Sequence, residues 1–436
     1  MGRMDGEYGS RISCLAQPLV EELEAAKETA AKDNNQSSLE ESNTSFFKTL
    51  FNCANTILGN GVLIVPYALA AGGWWSLGLL FTISAAATYT SLLVKRCMEV
   101  DPRIKSYTHI GEYAFGEIGK IIVSIILYTD LYMVTTGFLI LEGDNLNNLF
   151  PKLSLGIPID GKSSFIILVA LVLLPIVLFD NLSILAYISA TGVFASILIL
   201  VSVVWVGVFD GVGFHHVEDS GFFKWKGIPT AISLYMLCYS SHPVFPALYT
   251  SMQKKHDFSK VLLICFTLST FIYVSMAVLG YLMFGSSVES QITLNLPTDK
   301  VSSQIAIYTT LITPIAKYAL ILKPIVISTE GWFSNEYQNS KCFKVTIRIV
   351  LLASQVVIAL ALPYFGYFMS LTGALLCSTA SLTMPCLCYL KITSTNNSRP
   401  GFIQQLLIWC IVFLSIAILI FGTYTSLVDI LAEITH

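Results

Sequence analysis

Two ionisable residues sit deep inside long apolar runs of this chain, Asp130 and Lys317, and a third, His242, sits at a break in another. A charge at the centre of a membrane helix costs about 2.5 to 3.5 kcal/mol on insertion scales unless it is paired or hydrated. A cost of that size suggests a task, and the chemistry on offer is proton transfer at midplane. Asp130 reads as a proton acceptor or as the partner of Lys317, and a permanent ion pair would account for both without any titration. His242 reads as a substrate ligand, a proton carrier, or a helix-terminal imidazole satisfied by backbone. Lys323, Glu142, Asp144 and Glu330 lie nearer the ends of their runs, where snorkelling or water accommodates them, and Asp180 falls in a short turn expected to be exposed.

The second chemical feature is backbone. In NTILGNGVLIVPYAL, Asn55 to Leu69, the Gly59-Asn60-Gly61 triplet and Pro66 interrupt a run long enough to be one helix. In LCYSSHPVFPALYTSM, Leu237 to Met252, Pro243 and Pro246 do the same. Half-helices meeting at a gap offer amide groups at one end and carbonyls at the other, which is what a zwitterion needs for its carboxylate and ammonium. The reading places Gly59, Asn60, Gly61 and Val62, with Thr56 near them, at the carboxylate, and Tyr239, Ser240 and Ser241 at the ammonium. The competing reading is that Gly59 and Gly61 only let helices pack closely.

The elements that must hold these groups follow from composition. Of the 436 residues 54% are apolar and 12% charged, with mean hydropathy +0.70, and that charged share is about half the soluble norm. Apolar windows of spanning length fall near 46–71, 74–97, 119–142, 163–180, 182–209, 228–252, 258–284, 303–328, 343–363, 367–390 and 403–430. Residues 1–45 read as a disordered acidic tail, and Ser106 to Lys120 as an interfacial amphipathic segment. Of the 25 Lys and Arg, one face keeps only Lys152, Lys162, Lys224, Lys226 and Lys300, so the N-terminus is expected to be cytosolic and the C-terminus on the opposite face. The sequons at Asn35, Asn43, Asn181 and Asn396 then fall on the cytosolic side. Ten cysteines show no CxxC spacing, and Cys386 and Cys388 read as packing residues. No nucleophile-base pair, phosphate loop or nucleic-acid patch is present in the sequence, which argues against an enzyme.

Unpaired backbone cannot face lipid, so two interrupted spans must line a cavity. They are the first span and the first after five, the pattern of an inverted five-plus-five repeat with its site between the halves. The halves are expected at 46–209 and 228–390, with an extra helix at 403–430.

The chain resembles the amino acid/auxin permease family and, within it, the plant vacuolar amino acid transporter branch. The residues that carry the likeness are GNGVLIVPYALAAGGW (Gly59 to Trp74), FLILEGDNLNNLFP (Phe138 to Pro151), CYSSHPVFPALYTSM, YLMFGSSVESQITLNLP (Tyr281 to Pro297), IAIYTTLITPIAKYAL (Ile305 to Leu320) and PYFGYFMSLTGALLCSTASLTMPCLCYLKI (Pro363 to Ile392). The resemblance implies an all-α, leucine-transporter-like fold of about 11 helices and proton-coupled secondary transport of neutral amino acids across the vacuolar membrane. It also implies that Lys317 occupies the place of a sodium ion in sodium-driven relatives. Two departures bear on substrate preference and on coupling: Ser241 and Pro243 flank the span-six histidine where relatives often have glycine, and Gly137 replaces an acid of span three. The expected partners are an amino acid, protons and the lipid bilayer, with the chain a monomer and no cofactor, metal or nucleic acid involved. An amino acid sensor, or a carrier of another small organic anion such as an auxin-like acid, is the alternative.

Overall fold

The computed structural model describes residues 44–59, 61–151, 160–178, 191–214, 221–330, 333, 340–396 and 400–435. Residues 1–43 of the expected tail, Asn60, and the turn with Asp180 and Asn181 lie outside them, while Thr44 and Ser45 at the end of that tail are described. Among the described residues nine helices are long and apolar enough to cross a membrane. A tenth crossing is the pair α1 (Phe46–Ile57) and α2 (Gly61–Gly72), bent by 46° at the Gly59–Gly61 interruption. The expected sixth span is present as two short helices, α7 (Ile228–Cys238) and α8 (Phe245–Ser251), each under spanning length.

Between these pairs run α3 (Ser76–Val100), α4 (Tyr107–Leu149), α5 (Gly161–Leu178) and α6 (Gly192–Phe209). After them come α9 (Phe258–Phe284), a one-turn α10 (Ile292–Asn295), α11 (Val301–Glu330) and α12 (Lys341–Ala361). The tenth span starts as α13 (Phe365–Thr372), passes through π-helical stretches at Gly373–Cys377 and Thr379–Thr383, and ends as α14 (Met384–Thr395). The last span joins α15 (Phe402–Ala417) to α16 (Thr423–Thr435) through a third π-helical stretch.

The amphipathic lead-in before the third span is helical and continuous with it except at Gly116, whose φ of 67° lies in the region that favours glycine. Ser106 caps its first turn by accepting from the His109 amide at 3.2 Å. In the loop just before it, the Arg103 guanidinium hydrogen-bonds to Asp101 and holds that carboxyl below its usual range.

The core is the pair of broken spans. Helix α2 packs on α7 and α9, α11 on α6 and α4, and the tenth span on α7 and α4. Tyr235, Tyr239, Tyr273, Phe245 and Phe266 are fully buried there.

On the face where α1 begins, a short parallel bridge joins the first span to the sixth. Thr44 N donates to Ser251 O and Gln253 N to Thr44 O, both at 3.1 Å, and the Thr44 hydroxyl adds a bond to Ser251 O at 2.7 Å. On the far face a polar latch closes the bundle. Asn145 Nδ2 donates to Gln291 Oε1 at 2.6 Å, and Gln291 Nε2 to Asp144 Oδ2 at 3.2 Å. Lys162 Nζ pairs with Asp144 Oδ1 at 2.5 Å and also donates to the Pro363 carbonyl.

Candidate functional site

A cavity of about 190 Å³ opens where the two broken spans meet, well beyond the roughly 10–15 Å³ that one water needs. The first span contributes Thr56, Ile57, Gly59 and Gly61, and the sixth Leu237, Cys238, Ser240 and Ser241. Helix α4 adds Asp130, Leu131, Val134 and Phe138, α11 adds Lys317 and Ile321, and the tenth span Met369 and Cys377. Seven of the residues singled out from the sequence thus share one space: Thr56, Gly59, Gly61, Ser240, Ser241, Asp130 and Lys317.

Of the remaining four, Asn60 is outside the described residues and the other three lie elsewhere. Val62 faces a gap of about 20 Å³ between α2, α6 and α11, room for a single water. The Tyr239 ring stacks on Phe266 with centroids 6.0 Å apart, and its hydroxyl lies 2.9 Å from Thr270 Oγ1. His242 turns towards α3: its Nε2 is 3.0 Å from the Ala87 carbonyl, 2.9 Å from Thr90 Oγ1 and 3.0 Å from Ser91 Oγ. A carbonyl only accepts, so Nε2 carries the hydrogen. His242 is fully buried, and its Nδ1 has no hydrogen-bond partner among the described residues.

The two glycines of the first break do different work. A Cβ on Gly59 would meet nothing within 4 Å among the described residues. On Gly61 it would stand 2.8 Å from the Tyr273 hydroxyl and 2.9 Å from Cys238 Sγ, closer than real Cβ atoms approach. Gly59 faces open space and Gly61 permits contact between spans. The packing reading describes Gly61, and at Gly59 the space beside the break is open.

Tyr273 of α9, which sequence reasoning missed, ties the breaks together. Its hydroxyl lies 2.6 Å from the carbonyl of Ile57, the last residue of α1, and 3.2 Å from that of Cys238, the last residue of α7. One donor thus serves the carbonyl ends of both first half-helices, groups a continuous helix would have satisfied itself. Nothing local marks Tyr273; only its position on the span packed against both breaks could have pointed to it.

Asp130 and Lys317 face the cavity from α4 and α11, and among the described residues no ion pair joins them. Asp130 accepts instead from Cys377 Sγ at 3.5 Å. A Cβ on Gly192 of α6 would stand 3.3 Å from Lys317 Nζ and in contact with Asn55 Oδ1, so the ammonium sits where the first, fifth and eighth spans converge. Glu142 is 2% exposed, with neither carboxylate oxygen hydrogen-bonded among the described residues, so of the two accommodations expected for it snorkelling does not apply. It lies one turn beyond Phe138 towards the far-face latch.

Interrupted helices lining a cavity in a helical bundle are the arrangement found in secondary carriers of small solutes. Residues 42–428 match the family described as transmembrane amino acid transporter protein, and the chain belongs to that family, the amino acid/auxin permeases. It is 51% identical to amino acid transporter AVT1I of Arabidopsis thaliana over 90% of this chain and 96% of that one. Amino acid transporter AVT1J of the same plant is also 51% identical, over 95% of this chain and 97% of its own length. Among solved structures, MhsT in complex with L-phenylalanine superposes with a TM-score of 0.52 at 11% identity, covering 84% of this chain and 98% of that one. The fold is leucine-transporter-like.

Proposed function

We propose that this protein is a proton-coupled secondary transporter of neutral amino acids, acting across the vacuolar membrane with its N-terminus in the cytosol. The observation that carries the reading is the convergence of both helix breaks with Asp130 and Lys317 on one cavity. The first turn of α2, from Gly61, has amide groups without intrahelical acceptors, suited to a carboxylate beside the open space at Gly59. Ser240 and Ser241, at the end of α7, offer hydroxyls and carbonyls to an ammonium. Lys317 holds the position of a bound cation between three spans, and Asp130 is the second group able to change protonation there. MhsT was crystallised with an amino acid and the Arabidopsis relatives are named amino acid transporters, which supports the substrate class.

Uptake of labelled neutral amino acids into vesicles containing the purified protein, with a pH gradient imposed in either direction, tests the reading. Accumulation that follows the proton gradient in sodium-free buffer is expected. Uptake that requires sodium, or none at all, rejects it.

A further inference from the structure

Helix α4 and the tenth span meet along a stripe that touches the cavity twice. Asp130 and Gly137 are seven residues apart and share one face of α4; Asp130 meets Cys377, and Gly137 meets Met369. Gly137 has no room for a side chain of its own. A Cβ built there would fall on the methyl carbon of Met369, with the thioether sulfur 3.3 Å away and the Phe365 ring at 3.9 Å. The methionine therefore lies back against α4 in space that any other residue at position 137 would fill. Met369 is also part of the cavity wall, 2% exposed, alongside Leu131, Val134, Phe138 and Ile321.

We propose that the Gly137–Met369 contact sets the size of substrate side chain the cavity accepts, and that with glycine at 137 the site takes bulky apolar amino acids. Methionine is unbranched and adapts to the space left for it. Parked over Gly137, its end leaves the cavity wall recessed. Displaced by a methyl group at 137, it swings towards the cavity, because backbone stands behind it on α4. The far end of a flexible side chain gives way more readily than helix backbone, so the change narrows the cavity while the fold persists. The wall around it is apolar, so the selection is by volume. A single methylene in an apolar pocket shifts discrimination by about 10-fold or more.

This inference rests on the transport reading above, and one experiment separates the two. Vesicles with wild type, Gly137→Ala, Met369→Ala and the double variant are compared for uptake of labelled alanine and labelled phenylalanine. The ratio of alanine to phenylalanine uptake is expected to rise about 10-fold in Gly137→Ala and to return towards wild type in the double variant. Met369→Ala alone, which opens the wall, is expected to lower the ratio and serves if Gly137→Ala fails to fold. An unchanged ratio in active Gly137→Ala or Met369→Ala protein overturns the size device and leaves the transport reading standing. Wild type that moves neither amino acid overturns both.

Discussion

The hydroxyl of Tyr273 donates to the carbonyl of Ile57 at 2.6 Å and so closes the end of α1 from a span more than 200 residues further along the chain. The same oxygen stands 3.2 Å from Cys238 O, which makes this one group a common anchor of both interruptions. Removing it strands the buried Cys238 carbonyl and leaves Ile57 O with the Gly59 amide alone, at about 1 to 3 kcal/mol. Tyr273→Phe is expected to lower the melting temperature in detergent by a few degrees and to slow transport. A variant with wild-type melting and flux would show that water replaces the hydroxyl at no cost.

The unpaired arrangement of Asp130 and Lys317 makes a coupling prediction. Lys317→Gln should lose accumulation driven by a pH gradient while keeping downhill exchange of amino acid. If Asp130→Asn uncouples and Lys317→Gln does not, the acid is the proton carrier. Because no ion pair joins them among the described residues, a double-mutant cycle on stability should give only the coupling of about 0.5 to 3 kcal/mol expected of groups that share a cavity. A coupling of several kcal/mol would reveal a structural pair.

Gly59 and Gly61 differ in the space around them. Gly59→Ala adds a methyl group to open space and is expected to fold like wild type while weakening substrate uptake several-fold. Gly61→Ala drives a Cβ against Tyr273 and Cys238 and is expected to lose about 1 to 3 kcal/mol of stability, as overpacking does. Thermal melts beside uptake assays decide it; equal melting temperatures for the two variants would contradict the division.

Glu142 is buried without a hydrogen-bond partner among the described residues. Replacing an uncompensated buried carboxyl by an amide of the same shape removes a desolvation cost. Glu142→Gln should therefore melt at or above the wild-type temperature, and a drop of several degrees would mean that the carboxylate has a specific partner.

The breaks were legible because glycine and proline in an apolar run have few uses, and the lumped position of Thr56, Gly59, Gly61, Ser240 and Ser241 followed from them. Asp130 and Lys317 stood out because charge in hydrocarbon is conspicuous. What did not show was anything decided by side-chain direction across spans. His242 has the same sequence signature whether it faces the cavity or α3, and only Ala87, Thr90 and Ser91 settle which. Tyr273, Met369 and Cys377 are ordinary apolar-span residues in composition. Their importance comes from long-range packing, which a one-dimensional pattern does not encode. Among the described residues segment limits were read to within a few residues except at α4, where a helical lead-in and a transmembrane run join through Gly116; the expected start of the fifth span, at 182, lies outside them.

The small bridge between Thr44 and Met252 behaves as a catch on the near face. Two backbone hydrogen bonds and one from the Thr44 hydroxyl fasten the start of the first span to the end of the sixth. At about 0.5 to 1.5 kcal/mol each, they amount to a few kcal/mol. Releasing a fastening of that strength leaves an unlatched form at about 0.1 to 10% of molecules. Thermal agitation alone is therefore enough to part the ends of the two spans without unfolding either helix.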